Sequence, residues 1–287
     1  MNPYSDLRIY IPTYRRGGMV RTLKYMSPEA LKNTALVIRP EEAQSYLQAA
    51  VEFGCALVAL PNEIKNLSQT RQWILDDCEK NYCMMLDDDL DFSYRLKSGD
   101  WHTKYLGPDT LHKFDEMVTD MLNKMKTEGI AHCAVAAREG SNTTLEDWAY
   151  NQRYMRAYIF DTKVVGKFKY SEEHCGCEDF HMALQLITAG YPSAIYFMYP
   201  QGQGGSNKKG GLSAYRDIEY HNNAMAKLKE SFPNYVRLVQ KKTKTAWGGQ
   251  QRTDAVISWA KAFASVKIAP VAPEPIKEPA KDLFYND

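Results

Sequence analysis

A short apolar run that stops at three adjacent carboxylates limits the folds open to this chain. Residues 83–86 read Cys-Met-Met-Leu, and Asp87, Asp88 and Asp89 follow at once. A continuous apolar run of this length is typical of a central parallel strand covered on both faces. Ligands of open α/β sheets bind beyond the carboxyl ends of such strands, so the position of the carboxylates predicts a binding site.

Three neighbouring carboxylates repel one another unless a cation or several hydrogen-bond donors hold them. Side chains alternate along a strand, so Asp87 and Asp89 are expected to project to one side, with Asp91 as a spare candidate. Mg²⁺ and Mn²⁺ take one or two protein carboxylates and complete their shells with water and ligand phosphates. The sequence therefore predicts a metal–diphosphate site, and a solvated acidic turn is the alternative.

The first half of the chain alternates strands with helices, which predicts a parallel, doubly wound α/β sheet. The second half is less regular, and its helix at 111–128 carries a methionine-rich apolar stripe expected to lie in the core. The predicted strands are 7–11, 34–39, 56–60, 83–86, 132–137, 154–160 and 193–199. The predicted helices are one from about 20 with a break at 28, then 41–53, 66–78, 111–128, 178–189, 214–230 and 254–263. Residues 200–211 are too glycine-rich for regular structure.

Overall charge identifies no partner, because 36 Lys and Arg nearly balance 35 Asp and Glu. Residues 204–252 nevertheless carry ten Lys or Arg against three Asp or Glu, which indicates either a polyanion-facing surface or a solvated helix face. No signal peptide and no apolar run of about 20 residues is present, so a soluble, intracellular protein is expected. The six cysteines lack paired C-x-x-C spacing, which argues against structural zinc and favours reduced thiols.

Two further segments carry groups suited to a nucleotide. Tyr14 offers an aromatic face and Thr13 a hydroxyl beside exposed backbone groups, enough to hold a nucleobase and ribose; a basic surface turn is the alternative. Arg71 lies in the helix that leads into the acidic strand. Its guanidinium is expected to pair with a diphosphate or, in a purely structural role, with Asp87.

These motifs together resemble nucleotide-sugar glycosyltransferases of the GT-A fold over roughly residues 7–189. A closer resemblance is to the TET/JBP-associated glycosyltransferases of bacteriophages. The motifs that carry it are Ile11-Pro-Thr-Tyr-Arg15, Thr70-Arg-Gln-Trp-Ile-Leu75, Met85-Leu-Asp-Asp-Asp-Leu90, and Trp247-Gly-Gly with Arg252-Thr-Asp254.

The resemblance implies an α/β fold of GT-A (Rossmann-like) type, with a mostly parallel mixed sheet flanked by helices. It implies one domain at 1–268 with a C-terminal helical extension. Within this domain, 1–100 form the donor-binding half, and 101–268 form the acceptor and catalytic half with the basic C-terminal region. Residues 269–287 contain four prolines and are expected to form an extended tail.

By the same resemblance the donor is a UDP-sugar and the cofactor is Mn²⁺ or Mg²⁺. Asp89 and Asp87 are the implied metal ligands, with His221 as a possible third, and Asp87 also contacts the nucleoside. Arg15 stands where relatives carry Asn or Asp, so this position departs from the family pattern. The expected donor-binding residues are Pro12, Thr13, Tyr14, Arg15, Arg71, Asp87 and Asp88.

Glu178 and Asp179 head a helix at the position where this fold often places its base. An acceptor hydroxyl is a poor nucleophile at neutral pH, so an inverting transfer requires a carboxylate within hydrogen-bond reach. Asp179 is the expected base, and its position at a helix N-terminus predicts a low pKa. Helix-capping acids are the alternative. His174 and His181 are expected either to orient this carboxylate or contact the metal, or to be structural.

The acceptor side is expected to use basic side chains. The glycine-rich loop with Lys208 and Lys209 is a candidate for contacts with the diphosphate or a DNA backbone. Arg153 and Arg156 lie among aromatic residues suited either to stacking on bases or sugars or to core packing.

The resemblance implies transfer to 5-hydroxymethylcytosine or 5-hydroxymethyluracil in phage DNA. It also implies that the protein acts in the host cytoplasm and does not bind a membrane. The first alternative is the same chemistry on a saccharide, lipid or protein. The second is a nucleic-acid-binding module without catalysis. Phosphoryl transfer is disfavoured, because no Gly-x-x-x-x-Gly-Lys-Ser/Thr loop follows the first strand.

Overall fold

A computed structural model describes residues 2–138, 144–203, 210–214, 216–243 and 249–266. Within this part of the chain, no helix is both long and apolar enough to cross a bilayer. The strands are β1 (Leu7–Pro12), β2 (Thr34–Ile38), β3 (Ala56–Ala59), β4 (Tyr82–Leu86), β5 (Leu90–Arg95), β6 (Thr103–Tyr105), β7 (His132–Ala137), β8 (Trp148–Tyr150), β9 (Ala157–Asp161), β10 (Ser193–Gln203), β11 (Val236–Lys242) and β12 (Gln251–Ile257).

The α-helices flank the sheet or follow it in the chain. They are α1 (Pro28–Lys32), α2 (Ala43–Phe53), α3 (Leu67–Asp77), α4 (His112–Glu128), α5 (Thr162–Val165), α6 (Glu178–Thr188), α7 (Ile218–Ser231) and α8 (Trp259–Ala264). Short 3₁₀ helices lie at Pro3–Ser5, Arg21–Tyr25, Pro40–Glu42, Pro108–Thr110, Glu172–His174 and Gly211–Ala214.

One ten-stranded mixed sheet forms the centre of the molecule, in the order β3-β2-β1-β4-β9-β7-β10-β5-β6, with β8 paired to β10. Strands β3, β2, β1 and β4 run parallel, as the alternation of the first half predicts. Strand β9 is antiparallel to both of its neighbours, β4 and β7. The parallel half therefore places the loops after β1 and β4 at the same edge of the sheet.

The apolar run of β4 is buried on both faces, which confirms its prediction as a central strand. Met84 and Leu86 pack into a core with the apolar stripe of α4 and with side chains of α1 and α2. Cys83 and Met85 pack into a second core with α3, α5 and α6. The methionine stripe predicted for 111–128 is part of the first core, as expected.

The segment after the sheet packs onto α6 through a third apolar cluster. Leu184 and Ile187 of α6 contact Leu228 of α7, Val236 of β11 and Ala262 of α8. The C-terminal extension is therefore only partly helical, because it contains the antiparallel hairpin of β11 and β12.

The helix predicted at 254–263 is wrong in its first half. Residues 251–257 form β12, and α8 begins only at Trp259. Ala255 and Ile257 alternate toward the third cluster, and the β-branched residues Thr253 and Val256 favour a strand. The predicted helix at 214–230 likewise begins later, at Ile218, where Asp217 caps it.

The prediction of irregular structure from residue 200 onward is also wrong at its start. Strand β10 continues to Gln203 and pairs with β5, a strand that sequence analysis missed. Gly202 lies opposite Asp91 in this pairing, and a Cβ added there would lie 2.4 Å from Asp91 Oδ1. Gly202 therefore allows Asp91 to lie against the strand and pair with Arg21 at 2.9 Å.

We expect Gly202→Ala to lower the free energy of unfolding by about 1–3 kcal/mol, because the new methyl group collides with Asp91. In an Asp91→Ala background the same substitution should cost less than about 0.5 kcal/mol. Urea unfolding of the four proteins of this cycle measures the coupling. An equal cost of Gly202→Ala in both backgrounds would contradict the proposed contact.

Candidate functional site

One cleft of about 490 Å³ lies beyond the carboxyl ends of β1 and β4. The loops after these strands, the start of α6, helix α7 and the β11–β12 hairpin all contribute to its walls. Of the predicted site residues, those that line it are Pro12, Thr13, Tyr14, Arg71, Asp87, Asp88, Asp89, Arg153, Arg156, Glu178, Asp179 and His221.

Arg16 is the counter-ion of two of the three adjacent carboxylates. Its guanidinium lies 3.1 Å from Asp88 Oδ1 and 3.0 Å from Asp89 Oδ2. Thr13 Oγ1 donates to Asp88 Oδ2 at 2.7 Å, and Gln203 Nε2 donates to both oxygens of Asp89 at 2.8 and 2.9 Å. Burial raises the pKa of Asp88, an effect that Arg16 and Thr13 oppose. The carboxylates are therefore held by several donors, as the acidic run requires.

A buried guanidinium joins the acidic run to the head of α6. Arg71 is 3% exposed and lies 3.1 Å from Asp87 Oδ1 and 3.2 Å from Glu178 Oε1. Burial raises the pKa of Asp87 to about 7, although Arg71 lowers it. The amide of Gly176 also donates to Glu178 Oε2 at 2.7 Å. Glu178 is thus placed to hold Arg71 and the preceding loop.

Asp179 lines the cleft beside this ion pair, and its Oδ1 accepts a hydrogen bond from the amide of Phe180 at 2.8 Å. Burial and the neighbouring Glu178 raise the pKa of Asp179 to about 6, although Arg71 lowers it. The prediction of a low pKa from the helix N-terminus is therefore wrong, because desolvation outweighs the helix dipole. A pKa near 6 leaves Asp179 ionised at neutral pH and makes it a stronger base than an exposed Asp.

The first loop places only part of its predicted set in the cleft. Arg15 adopts a left-handed backbone with φ of +55°, and its amide donates to Glu42 Oε1 at 2.9 Å. Among the described residues that line the cleft, Arg16 is present and Arg15 is not. Arg39 lies over the ring of Tyr14 at 5.5 Å. Nothing in the sequence distinguishes the two adjacent arginines, because the turn at Arg15 decides which one faces Asp88.

Another wall of the cleft comes from α7 and the β11–β12 hairpin, which lie later in the chain than the loops after β1 and β4. His221 Nε2 lies 3.4 Å from Asp254 Oδ1. Arg252 Nε lies 2.7 Å from the same oxygen, and Lys241 Nζ lies 3.1 Å from Asp254 Oδ2. The structure thus pairs His221, the suggested third metal ligand, with Asp254. Sequence analysis missed Lys241 and Asp254 as cleft residues because the hairpin itself was missed.

The predicted acceptor residues have different outcomes. Arg153 lies over the ring of Phe180 at 4.9 Å, and burial lowers its pKa, which Asp179 opposes. The carbonyl of Arg156 accepts a hydrogen bond from the amide of Asp87 at 2.8 Å. Lys208 and Lys209, like Trp247, lie outside the described residues.

Several other candidates are structural. His174 and His181 stack on each other at 3.7 Å and are buried, and neither is among the described residues that line the cleft. Tyr154 and Tyr158 are buried in the second core, which supports core packing for these two aromatics. All six cysteines are free, in agreement with the expectation of reduced thiols.

The chain matches the family described as TET-Associated Glycosyltransferase over residues 7–211. This stretch contains the first loop, Arg71, the acidic run and Asp179. The chain belongs to the TET-associated glycosyltransferase family. The resemblance stated from the motifs is thereby confirmed, and this glycosyltransferase carries α7, the β11–β12 hairpin and α8 beyond the matched region.

Two curated relatives of this glycosyltransferase share one name, beta-glucosyl-HMC-alpha-glucosyl-transferase. The protein of Enterobacteria phage T2 is 23% identical over 241 residues, which are 80% of this chain and 83% of the relative. The protein of Enterobacteria phage T6 is 24% identical over the same shares of both chains.

Solved structures that resemble this glycosyltransferase show its fold. Glucosyl-3-phosphoglycerate synthase from Mycobacterium tuberculosis, in complex with Mg²⁺ and uridine diphosphate, superimposes with a TM-score of 0.52 at 10% identity and 86% coverage of both chains. A mannosyltransferase from Pyrobaculum calidifontis, in complex with GDP-Man and Mn²⁺, has a TM-score of 0.52 at 12% identity and covers 78% of this chain and 64% of its own. The predicted GT-A fold is therefore confirmed.

We expect Arg71→Met to lower the free energy of unfolding by about 3–5 kcal/mol, because it leaves the Asp87 and Glu178 carboxylates without their shared partner. Arg71 lowers the pKa of Asp87, so the folded variant binds a proton at Asp87 more tightly than the folded wild type does. The loss should therefore be larger above the Asp87 pKa of about 7 than in acid.

Urea unfolding at several pH values measures this effect. Arg237→Met, at an exposed position of β11, is the matched control and should change the free energy by less than about 0.5 kcal/mol. A loss that does not vary with pH would show that the ion pair with Asp87 is not its cause.

Proposed function

We propose that this glycosyltransferase moves a sugar from a UDP-sugar to a hydroxyl group borne by a hydroxymethylated pyrimidine in phage DNA. The observation that carries the proposal is that one cleft joins the acidic run after β4 to Asp179 at the head of α6. The names of the two phage relatives support the acceptor, since both specify HMC, which we take as hydroxymethylcytosine.

The donor is assigned to the part of the cleft between the first loop and the acidic run. Tyr14 supplies an aromatic face for the nucleoside, and Asp87 lies at the same edge of the sheet. The buried Thr13 hydroxyl donates to Asp88 and therefore supports the acidic run from within. Several solved neighbours were crystallised with uridine diphosphate, which supports a UDP-sugar, whereas the mannosyltransferase was crystallised with GDP-Man. An assay with a set of nucleotide sugars therefore tests the donor nucleotide as well as the acceptor.

The acidic run fits a divalent cation that takes few protein ligands. Within the described residues, no group of three or more His, Cys, Asp or Glu is arranged to hold a metal by itself. Mg²⁺ and Mn²⁺ do not need such a group, because water and ligand phosphates complete their shells. Asp89, whose side chain is 15% exposed in the cleft, is the residue that would hold the ion, in exchange for its contacts with Arg16 and Gln203. When bound, the cation neutralises charge on the departing nucleoside diphosphate.

Asp179 is assigned the acceptor side of the reaction. Its carboxylate accepts the proton of the acceptor hydroxyl as the new glycosidic bond forms with inversion, and its pKa near 6 suits this role. The relatives are named for an α-glucosyl product. The anomer that this chain produces therefore decides between inversion, with Asp179 as the base, and retention, in which the departing phosphate takes the proton.

The relatives also point to a second acceptor. Their name specifies β-glucosyl-HMC, so the accepting hydroxyl in those proteins belongs to a sugar already attached to the base. For this chain the two candidates are the hydroxymethyl group itself and a sugar carried by it. Both candidates present a hydroxyl group on DNA, so a single assay can offer both as acceptors.

The direct test is to incubate the protein with Mn²⁺, a set of nucleotide sugars, and DNA that is unmodified, hydroxymethylated or β-glucosylated. We expect mass spectrometry of the digested DNA to show the addition of one sugar to a modified nucleoside, with release of UDP. Transfer only to a free saccharide, lipid or protein would contradict the DNA acceptor. Salt-sensitive DNA binding without UDP release would contradict the enzymatic proposal.

The same assay tests the base. Asp179→Asn should reduce kcat/KM by roughly 10²–10⁴-fold, and wild-type kcat/KM should fall as the pH drops below about 6. Asp217→Asn is the matched control, since it also heads a helix, retains a capping side chain, and is absent from the described cleft lining. An Asp179→Asn enzyme as active as this control would remove Asp179 from the reaction.

A further inference from the structure

The β11–β12 hairpin places two cations opposite each other in the wall of the cleft. Lys241 and Arg252 are cross-strand partners in the antiparallel register, and both line the cleft. Like charges in directly opposite positions destabilise a strand pair. A hairpin selected for folding alone would carry opposite charges here, so the pair calls for a functional explanation.

Asp254 lies between these cations but does not balance them. It is on the same strand face as Arg252, two residues away, and its two oxygens contact Arg252, Lys241 and His221. Side-chain exposure rises from 16% at Asp254 to 34% at Arg252 and 59% at Lys241. One carboxylate thus pairs with one guanidinium and one ammonium group, and both of these cationic side chains remain partly exposed at the cleft.

The distribution of charge within the cleft follows the two halves of the chain. Among the described lining residues before residue 100, three arginines face three aspartates. Among those after residue 150, five cationic residues face three carboxylates. The five are Arg153, Arg156, Arg216, Lys241 and Arg252. The excess positive charge therefore lies on the side of the cleft assigned to the acceptor. The acidic run, which is assigned to the donor, lies on the other side.

We propose that Lys241 and Arg252 form a binding site for a phosphodiester of the acceptor DNA. This inference rests on the proposed function and assigns the element that holds its substrate. A guanidinium binds phosphate oxygens in a two-pronged geometry and an ammonium adds a point charge. A two-stranded ribbon fits the major groove, which is also where the C5 substituent of a pyrimidine projects. The hairpin thus binds the strand whose modified base reaches Asp179.

The test compares Lys241→Gln with Lys242→Gln in the full-length protein. Lys242 is the adjacent residue with the same charge; it is exposed, belongs to the opposite strand face, and is absent from the described cleft lining. Fluorescence anisotropy with a hydroxymethylated duplex, without donor, gives the affinity over a series of salt concentrations. Lys241→Gln should weaken binding roughly eightfold at about 0.1 M salt and reduce the logarithmic salt slope by about 0.9.

Adding Arg252→Gln to Lys241→Gln should lower the slope by about 0.9 again. Calorimetric titration with UDP should give the same affinity for wild type and all these variants, which assigns the effect to DNA phosphate and excludes the donor diphosphate as its source. Equal DNA binding by Lys241→Gln and Lys242→Gln would overturn the proposal, as would a selective loss of UDP binding in Lys241→Gln.

The outcomes also separate this inference from the function on which it rests. If wild type glycosylates DNA while Lys241→Gln binds DNA like Lys242→Gln, the phosphodiester site is wrong and the function stands. If wild type glycosylates no DNA, but Lys241→Gln alone loses DNA affinity, the site stands as a DNA-binding site and the proposed reaction is wrong.

Discussion

The charges of three adjacent carboxylates must be compensated before the site can form. Asp87, Asp88 and Asp89 follow a strand whose last four residues are buried, and their mutual repulsion must be offset by protein groups. Arg71 does this for Asp87, and Arg16 does it for the other two. Because each arginine comes from a different element, the acidic run fixes the positions of the first loop and of α3 relative to β4.

The order of strands makes this compensation possible. Strand β1 pairs in parallel with β4, so the loop that carries Arg16 emerges beside the acidic run at the same edge of the sheet. Arg71 spans from α3 to Glu178 at the head of α6, and this contact positions Asp179 next to the acidic run. Ion pairs therefore connect elements of the cleft that are far apart in the chain. The β11–β12 hairpin, which lies beyond the residues matched by the family, adds a basic wall.

The sequence predicts well those parts in which one local pattern decides the structure. The apolar run of β4 and the stripe of α4 are confirmed, because burial leaves few alternatives. Of the two partners considered for Arg71, the structure shows Asp87. The β11–β12 hairpin and the extension of β10 depend on partners distant in sequence, so local patterns misassigned both. The pKa of Asp179 depends on how deeply the helix start is buried, which the helix signal alone does not report.

The assignment of the acidic run can be tested by Mn²⁺ binding in the presence of UDP. Electron paramagnetic resonance measures this binding as the loss of the free-ion signal. Wild type should bind the ion only together with the nucleotide, and Asp89→Asn should bind it about tenfold or more weakly while remaining folded. Equal Mn²⁺ binding by wild type and Asp89→Asn would contradict the assignment of the acidic run as the metal–diphosphate site.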